Sequence, residues 1–205
     1  MNNPGDIVYS KSVVEFVAVA NEYCQLVENC TQYQTPQLLD ITRKLLSLLY
    51  FKASMIPPVE KILDEEVEKY VSELDYNLLQ QRWLNKLGEN DLYHEVFDPE
   101  LQFGSEQVTA SVSESLLDVY QDAKDFISAY NFGNEEVMND ALAECMEHFR
   151  DNWGQRLVNV LRALHQLVYS DIDWSDADLS NFRPDDEDEP QKGKWIDRFF
   201  NQDPE

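Results

Sequence analysis

Apolar residues recur at three- and four-residue steps through most of the chain, the pattern of helices that bury one face. Ser12, with Glu15 three residues later, predicts a capped helix start, and Phe16, Val19, Ala20, Tyr23, Cys24 and Val27 follow at helical spacing. Thr35 and Pro36 open a second helix, with proline in the first turn, where a missing N–H costs nothing. Its stripe runs through Leu38, Ile41, Leu45, Leu48 and Leu49 to a stop at Ile56-Pro57-Pro58. The short gap between the two predicts an antiparallel hairpin.

From Val59 to Leu87 a longer, more acidic helical pattern follows, with Ile62, Leu63, Val67, Tyr70, Val71, Leu74, Leu78 and Leu79 as its buried stripe and Trp83 and Leu87 near its end. Polar residues around Ser72 to Asp75 are a candidate break. Periodicity fades over 88–104, where Tyr93-His94-Glu95-Val96-Phe97-Asp98-Pro99 reads as an ordered aromatic loop. Helical spacing resumes near Ser105 or Ser111 and reaches Tyr130. Asn131-Phe132-Gly133-Asn134 is a turn, and Glu135 to Val168 reads as one long helix passing through Gly154. The expected fold is therefore all-α, a compact multi-helix bundle of antiparallel helix hairpins with an irregular aromatic loop near 88–104.

Beyond Ser170 the pattern changes. Asp171, Asp173, Asp176 and Asp178 alternate with other residues, and Asp185-Asp186-Glu187-Asp188-Glu189 follows as an acidic block. Such a block repels itself and favours extension. It leads to Lys194-Trp195-Ile196-Asp197-Arg198-Phe199-Phe200, whose Trp195, Ile196, Phe199 and Phe200 read as a tail patch that docks on its own domain or on a partner. The expected organisation is a flexible N-terminus over 1–11, one helical domain over 12–170 and an acidic extension over 171–205.

Composition narrows the class of function. Forty Asp and Glu against sixteen Lys and Arg give a formal charge of -24. Phosphate backbones and anionic membranes are bound through concentrated positive charge, so neither nucleic acid nor a membrane surface is an expected partner. A basic peptide or protein is the better match, and self-association is left open. No stretch approaches eighteen apolar residues, and Met1 to Asp6 lacks the basic and apolar regions of a signal peptide, which predicts a cytoplasmic protein. Cys24, Cys30 and Cys145 form no Cys-x-x-Cys pair and read as buried thiols.

Three segments carry a family resemblance: Phe16-x6-Tyr23-Cys24-x2-Val27-Glu28, the Tyr93 to Pro99 stretch, and Trp153-Gly154 followed by Val158-x2-Leu161-Arg162-Ala163-Leu164-His165. In order and spacing the chain resembles the bacterial domain-of-unknown-function family 5063 (DUF5063), over roughly Val13 to Val168. The resemblance implies a compact helical domain of uncharacterised role and carries no site residues with it.

Candidate chemistry is sparse. Neither a Gly-x-Ser-x-Gly elbow, a phosphate-binding glycine loop nor His-Glu-x-x-His is present, and no cofactor is expected. Glu144, His148 and Asp151 share one helix side and could meet Glu114, Asp118 or Asp122. The paired Glu-x-x-His of two-metal bundles is nevertheless incomplete, so Asp118, Glu144, His148 and Asp151 are weak metal candidates. A dispersed hydrolytic or metal-dependent site would need His94, Asp118 and His148 or His165 to converge. Arg156 and Arg162, with Lys124, could offer a point of positive charge in an acidic surface. Trp83, Tyr93, Phe97, Tyr120, Phe149 and Trp153 could line an interaction groove, or simply fill the core. The sequence thus favours a non-enzymatic adaptor or protein-interaction domain, with a metal-dependent or hydrolytic enzyme as the alternative.

Overall fold

The computed structural model describes residues 4–64, 67–94 and 109–174. The described chain is all-α apart from one short β-ladder. Helices α1 (Pro4–Val8), α2 (Lys11–Glu28), α3 (Thr35–Ser54), α4 (Glu73–Leu87), α5 (Val112–Phe132), α6 (Glu135–His148) and α7 (Gly154–Val168) follow in order, with β1 (Leu92–His94) and β2 (Thr109–Ser111) between α4 and α5. The hairpin partners α2 and α3, and α5 and α6, pack on each other. The α5 helix also lies against α2, α4 and α7, and α7 against α3. None of the helices among the described residues is long and apolar enough to cross a membrane.

The predicted stripe of α2 is the buried one. Phe16, Val19, Ala20, Tyr23, Cys24 and Val27 all lie in the core, Phe16 stacks on Phe126 at 5.3 Å, and the Tyr23 hydroxyl donates to Leu116 O at 2.8 Å. The cap differs. Ser10 precedes α2 and its side chain makes no capping bond, whereas Glu15 accepts from Lys52 of α3 at 2.7 Å. A long-range ion pair has taken the carboxylate that a local capping box would use.

Within the stretch expected to be flexible, Pro4–Val8 form a helix. Helix α1 packs on α6, Val8 is fully buried, and the Tyr130 hydroxyl donates to Val8 O at 2.7 Å. Five residues are too few for a 3.6-residue period to register. At the other end the core takes in Trp174, past the expected boundary at 170.

The largest departure is the segment expected to be helical from Val59. Residues 57–63 and 67–71 run without regular structure as a strap, and α4 begins only at Glu73, where the Ser72 side chain caps the Asp75 N–H. Pro57 and Pro58 offer no N–H and bias the preceding residue towards extension. Two buried carboxylates then capture the strap's backbone. Asp140 accepts from the N–H groups of Ile62 and Leu63, both at 2.7 Å, and Asp125 accepts from Tyr70 at 2.7 Å and Val71 at 3.1 Å. The Asn139 amide donates to Glu60 O at 2.8 Å. The backbone bonds that a helix would make internally are made to α5 and α6 instead.

Gly88, at φ 54°, closes α4 in the left-handed region that glycine enters without strain. The chain then turns into β1, which pairs antiparallel with β2 in the register Leu92 to Ser111. Asp91 ties this ladder to α5 by accepting from Ser113 N at 2.7 Å and Ser111 Oγ at 2.6 Å. Residues 95–108, most of the expected aromatic loop, lie outside the described residues.

The expected long helix from Glu135 is continuous in course but not uniform. Phe149–Trp153 form a turn of π-helix between α6 and α7. A Cβ on Gly154 would lie 2.3 Å from Phe149 O, so the wide turn closes only over glycine.

Candidate functional site

Two places gather polar and apolar side chains beyond ordinary core packing. The first lies where the strap crosses α5 and α6. His148 Nδ1 and Asp122 Oδ1 are 2.6 Å apart. Lys69 and Lys61 donate to Glu144 at 2.6 and 2.9 Å, and Lys69 lies 3.9 Å from Asp125. Burial pushes the Asp122 carboxyl up, against the pull of His148. Burial acts on Glu144 in the same sense, but the two lysines outweigh it and hold that carboxyl below its ordinary value. The cavity at the centre is only about 10 Å³, room for roughly one water. Cys145 borders it, but burial pushes its thiol well above the ordinary value, so it is a poor nucleophile. Cys24 and Cys30 are likewise buried, and burial pushes the Cys30 thiol up to about 11.

The second place is a solvent-facing groove of about 310 Å³ bounded by α2, the end of the strap, α4 and α5. Val71, Leu79 and Tyr120 supply apolar walls, and Tyr70 and Leu78 stand at the rim, 37% and 51% exposed. Asp75 and Arg82 sit seven residues apart on α4, about 10 Å along its axis, so the two signs of charge are separated along the groove. Arg82 reaches Glu28 O at the C-terminus of α2, 3.5 Å away. The Glu28 carboxylate accepts from Lys124 at 2.6 Å and from the Tyr120 hydroxyl at 3.0 Å. Burial, and then Glu28, push the Tyr120 hydroxyl up, so it stays a neutral donor. The groove is therefore apolar inside and charged at its margins, an arrangement that holds a side chain and orients its neighbours.

The residues expected to line an aromatic groove separate. Trp83 is fully buried, its indole N–H donating to Val27 O at 3.3 Å. Trp153 is equally buried, donates to Cys145 O at 3.1 Å and packs on half-buried Phe149. Tyr93 meets Ser115 Oγ at 3.1 Å. These are core and near-core side chains; only Tyr120 lies in the open groove. Phe97, and the tail residues Trp195, Ile196, Phe199 and Phe200, lie outside the described residues. The weak metal candidates each have a different partner: Asp118 takes Tyr76 and Arg156, Glu144 the two lysines, His148 takes Asp122, and Asp151 a two-pronged bond from Arg150. No group of three His, Cys, Asp or Glu able to hold a metal forms among the described residues. The triad imagined from His94, Asp118 and His148 or His165 is not assembled. His94 is on β1 with its carbonyl bound by Arg162, and His165 packs on Tyr169. The positive point expected from Arg156, Arg162 and Lys124 is likewise dispersed over three separate partners.

Val71, Leu78, Leu79, Arg82 and Glu28 were not singled out as a site by sequence, and Leu74 and Leu78 were expected in the buried stripe. They are 78% and 51% exposed. The signal was present: Leu74 and Leu78 share a face four residues apart, centred about 160° from the face of Leu79, Trp83 and Leu87.

Comparison with known proteins gives two positive findings. The sequence profile described as "Domain of unknown function (DUF5063)" matches residues 7–170. The crystal structure of protein BF1032 from Bacteroides fragilis is similar at a TM-score of 0.71 and 43% identity, covering 80% of this chain and 96% of that one. A search of curated proteins gave no match.

Proposed function

This chain belongs to the DUF5063 family, and on that premise we propose that it is a protein-interaction domain whose α4 groove receives an apolar side chain of a partner segment flanked by lysine or arginine. The observation that carries this reading is the groove itself. About 310 Å³ of solvent-facing space has apolar walls and an exposed leucine at its rim. Volumes from about 300 Å³ upward accommodate ligand groups, and a single large apolar anchor in such a site dominates binding energy. The charge of -24 supplies the second half of the specificity, since a basic segment is drawn in and an acidic one repelled. The polar cluster around Asp122 and His148 supports a structural role better than catalysis. Its carboxylates are already paired, and its cavity has no room for a substrate.

Selection of phage-displayed random peptides tests this. The bait is the full chain carrying Trp195→Ala, Phe199→Ala and Phe200→Ala, so that its own aromatic segment does not compete. The expected yield is peptides with a leucine or aromatic residue next to lysine or arginine. Adding Leu78→Lys should weaken them about tenfold or more; the site is exposed enough for folding to survive, as circular dichroism will show. Enrichment without such a motif, or binding indifferent to Leu78→Lys, overturns the reading.

A further inference from the structure

We propose that the basic aromatic segment 192–200 of this same chain is the resident occupant of the α4 groove, so that a partner binds by displacing it. This rests on reading the groove as a binding site. Four observations converge on the segment. In a chain of charge -24 it carries Lys192, Lys194 and Arg198 against the single carboxylate of Asp197, a local excess of two positive charges (three minus one). The body of the protein therefore attracts this stretch and repels the acidic block at Asp185 to Glu189 before it. Trp195, Ile196, Phe199 and Phe200 stand at positions i, i+1, i+4 and i+5, a spacing that places all four on one face of a helix, the pattern of a peptide laid into an apolar groove. The mixed charge of the segment matches the groove, which has Asp75 towards one end of α4 and Arg82 towards the other. Finally, the tether reaches. Trp174 is packed into the core, and the twenty residues from there to Lys194 span at most about 72 Å extended and about 25 Å as a flexible coil, the scale of a small domain.

Tethering matters quantitatively. A segment held at millimolar effective concentration occupies a site of micromolar affinity almost completely, so an incoming partner must bind more tightly than its isolated affinity suggests. The device turns a permanently exposed leucine rim into one that is covered until a better ligand arrives.

A fluorescein-labelled synthetic peptide spanning residues 191–201 is the probe, followed by fluorescence anisotropy. The expected result has three parts. The peptide binds the full chain carrying Trp195→Ala, Phe199→Ala and Phe200→Ala. It binds the unaltered chain about tenfold more weakly or worse, because the tethered copy competes. Adding Leu78→Lys to the triple variant removes the binding. Failure to bind the triple variant, equal binding to both chains, or indifference to Leu78→Lys each overturns the proposal. A concentration-dependent dimer of the unaltered chain that the triple substitution abolishes overturns it too, because the segment would then be serving a second copy. Should the phage-selected peptides bind through Leu78 while this peptide does not, the interaction groove stands and its resident occupant falls; should neither bind, both fall.

Discussion

Single buried side chains decide how this chain is held together, and the decisive ones are acidic. Asp140 is 2% exposed and accepts two strap N–H groups at 2.7 Å. Removing it leaves both strap donors without their charged acceptor. Hydrogen bonds to a charged group contribute about 1.5–3 kcal/mol each, so Asp140→Ala should cost about 3 kcal/mol in urea unfolding and open the strap to proteolysis. A loss below about 1 kcal/mol would show that the strap holds by apolar packing alone. Gly154 makes the opposite point, since there the absence of a side chain is the contribution. A Cβ placed 2.3 Å from the Phe149 carbonyl forces the backbone to move, and Gly154→Ala should destabilise by about 2–3 kcal/mol, although alanine is the better helix former by about 1 kcal/mol. A stabilised Ala variant would mean that the π turn relaxes to α-helix at no cost.

At the level of elements, the helices whose hydrogen bonds are internal were legible and the strap was not. The stripes of α2 and α3 could be read because each buries one face, and that of α5 because its large apolar residues keep helical spacing although the helix is packed on several sides. The stripe assigned to 59–87 contained genuine core contacts, but Ile62, Leu63, Tyr70 and Val71 are held by Asp140 and Asp125, which lie more than fifty residues away in sequence. No local pattern encodes that capture. The groove went unread for the same reason: its walls come from four separate elements, and of its lining residues Tyr120 and Lys124 drew attention, each as part of a different expected cluster. The strap's charge pairing carries a pH signature. The Glu144 carboxyl is held below its ordinary value of 4.5, so it contributes stability that is present above that value and is lost as pH falls through the lower, folded-state one. Glu144→Gln should therefore be less stable than the unaltered chain at pH 7, with the difference closing towards pH 3. A difference that is the same at both pH values would remove Glu144 from the account of acid unfolding.

For the whole molecule, a charge of -24 acts on every encounter and on the fold. Association of the basic 191–201 peptide with the triple variant should slow steeply between about 50 and 300 mM salt, while dissociation changes little, because steering is screened over a Debye length of about 10 Å and the buried apolar contact is not. Stopped-flow measurement of both rates checks this, and a salt effect confined to dissociation would contradict it. The π turn also governs the molecule at this scale. Cys145, Phe149, Trp153 and Leu157 follow one another in steps of four, and in a regular α-helix each such step overshoots a full turn by about 40°. Three steps would carry Leu157 about 120° from the direction of Cys145 and away from α3 and α5. The wide turn absorbs the excess and works as a gear between two shafts, keeping α6 and α7 in mesh with the same core. Deleting one residue from 149–153 would tidy the hydrogen-bond ladder and yet rotate all of α7 by about 100°, turning Leu157, Val160 and Leu164 towards water. The irregular turn is what lets one continuous rod keep both of its halves facing a single seam.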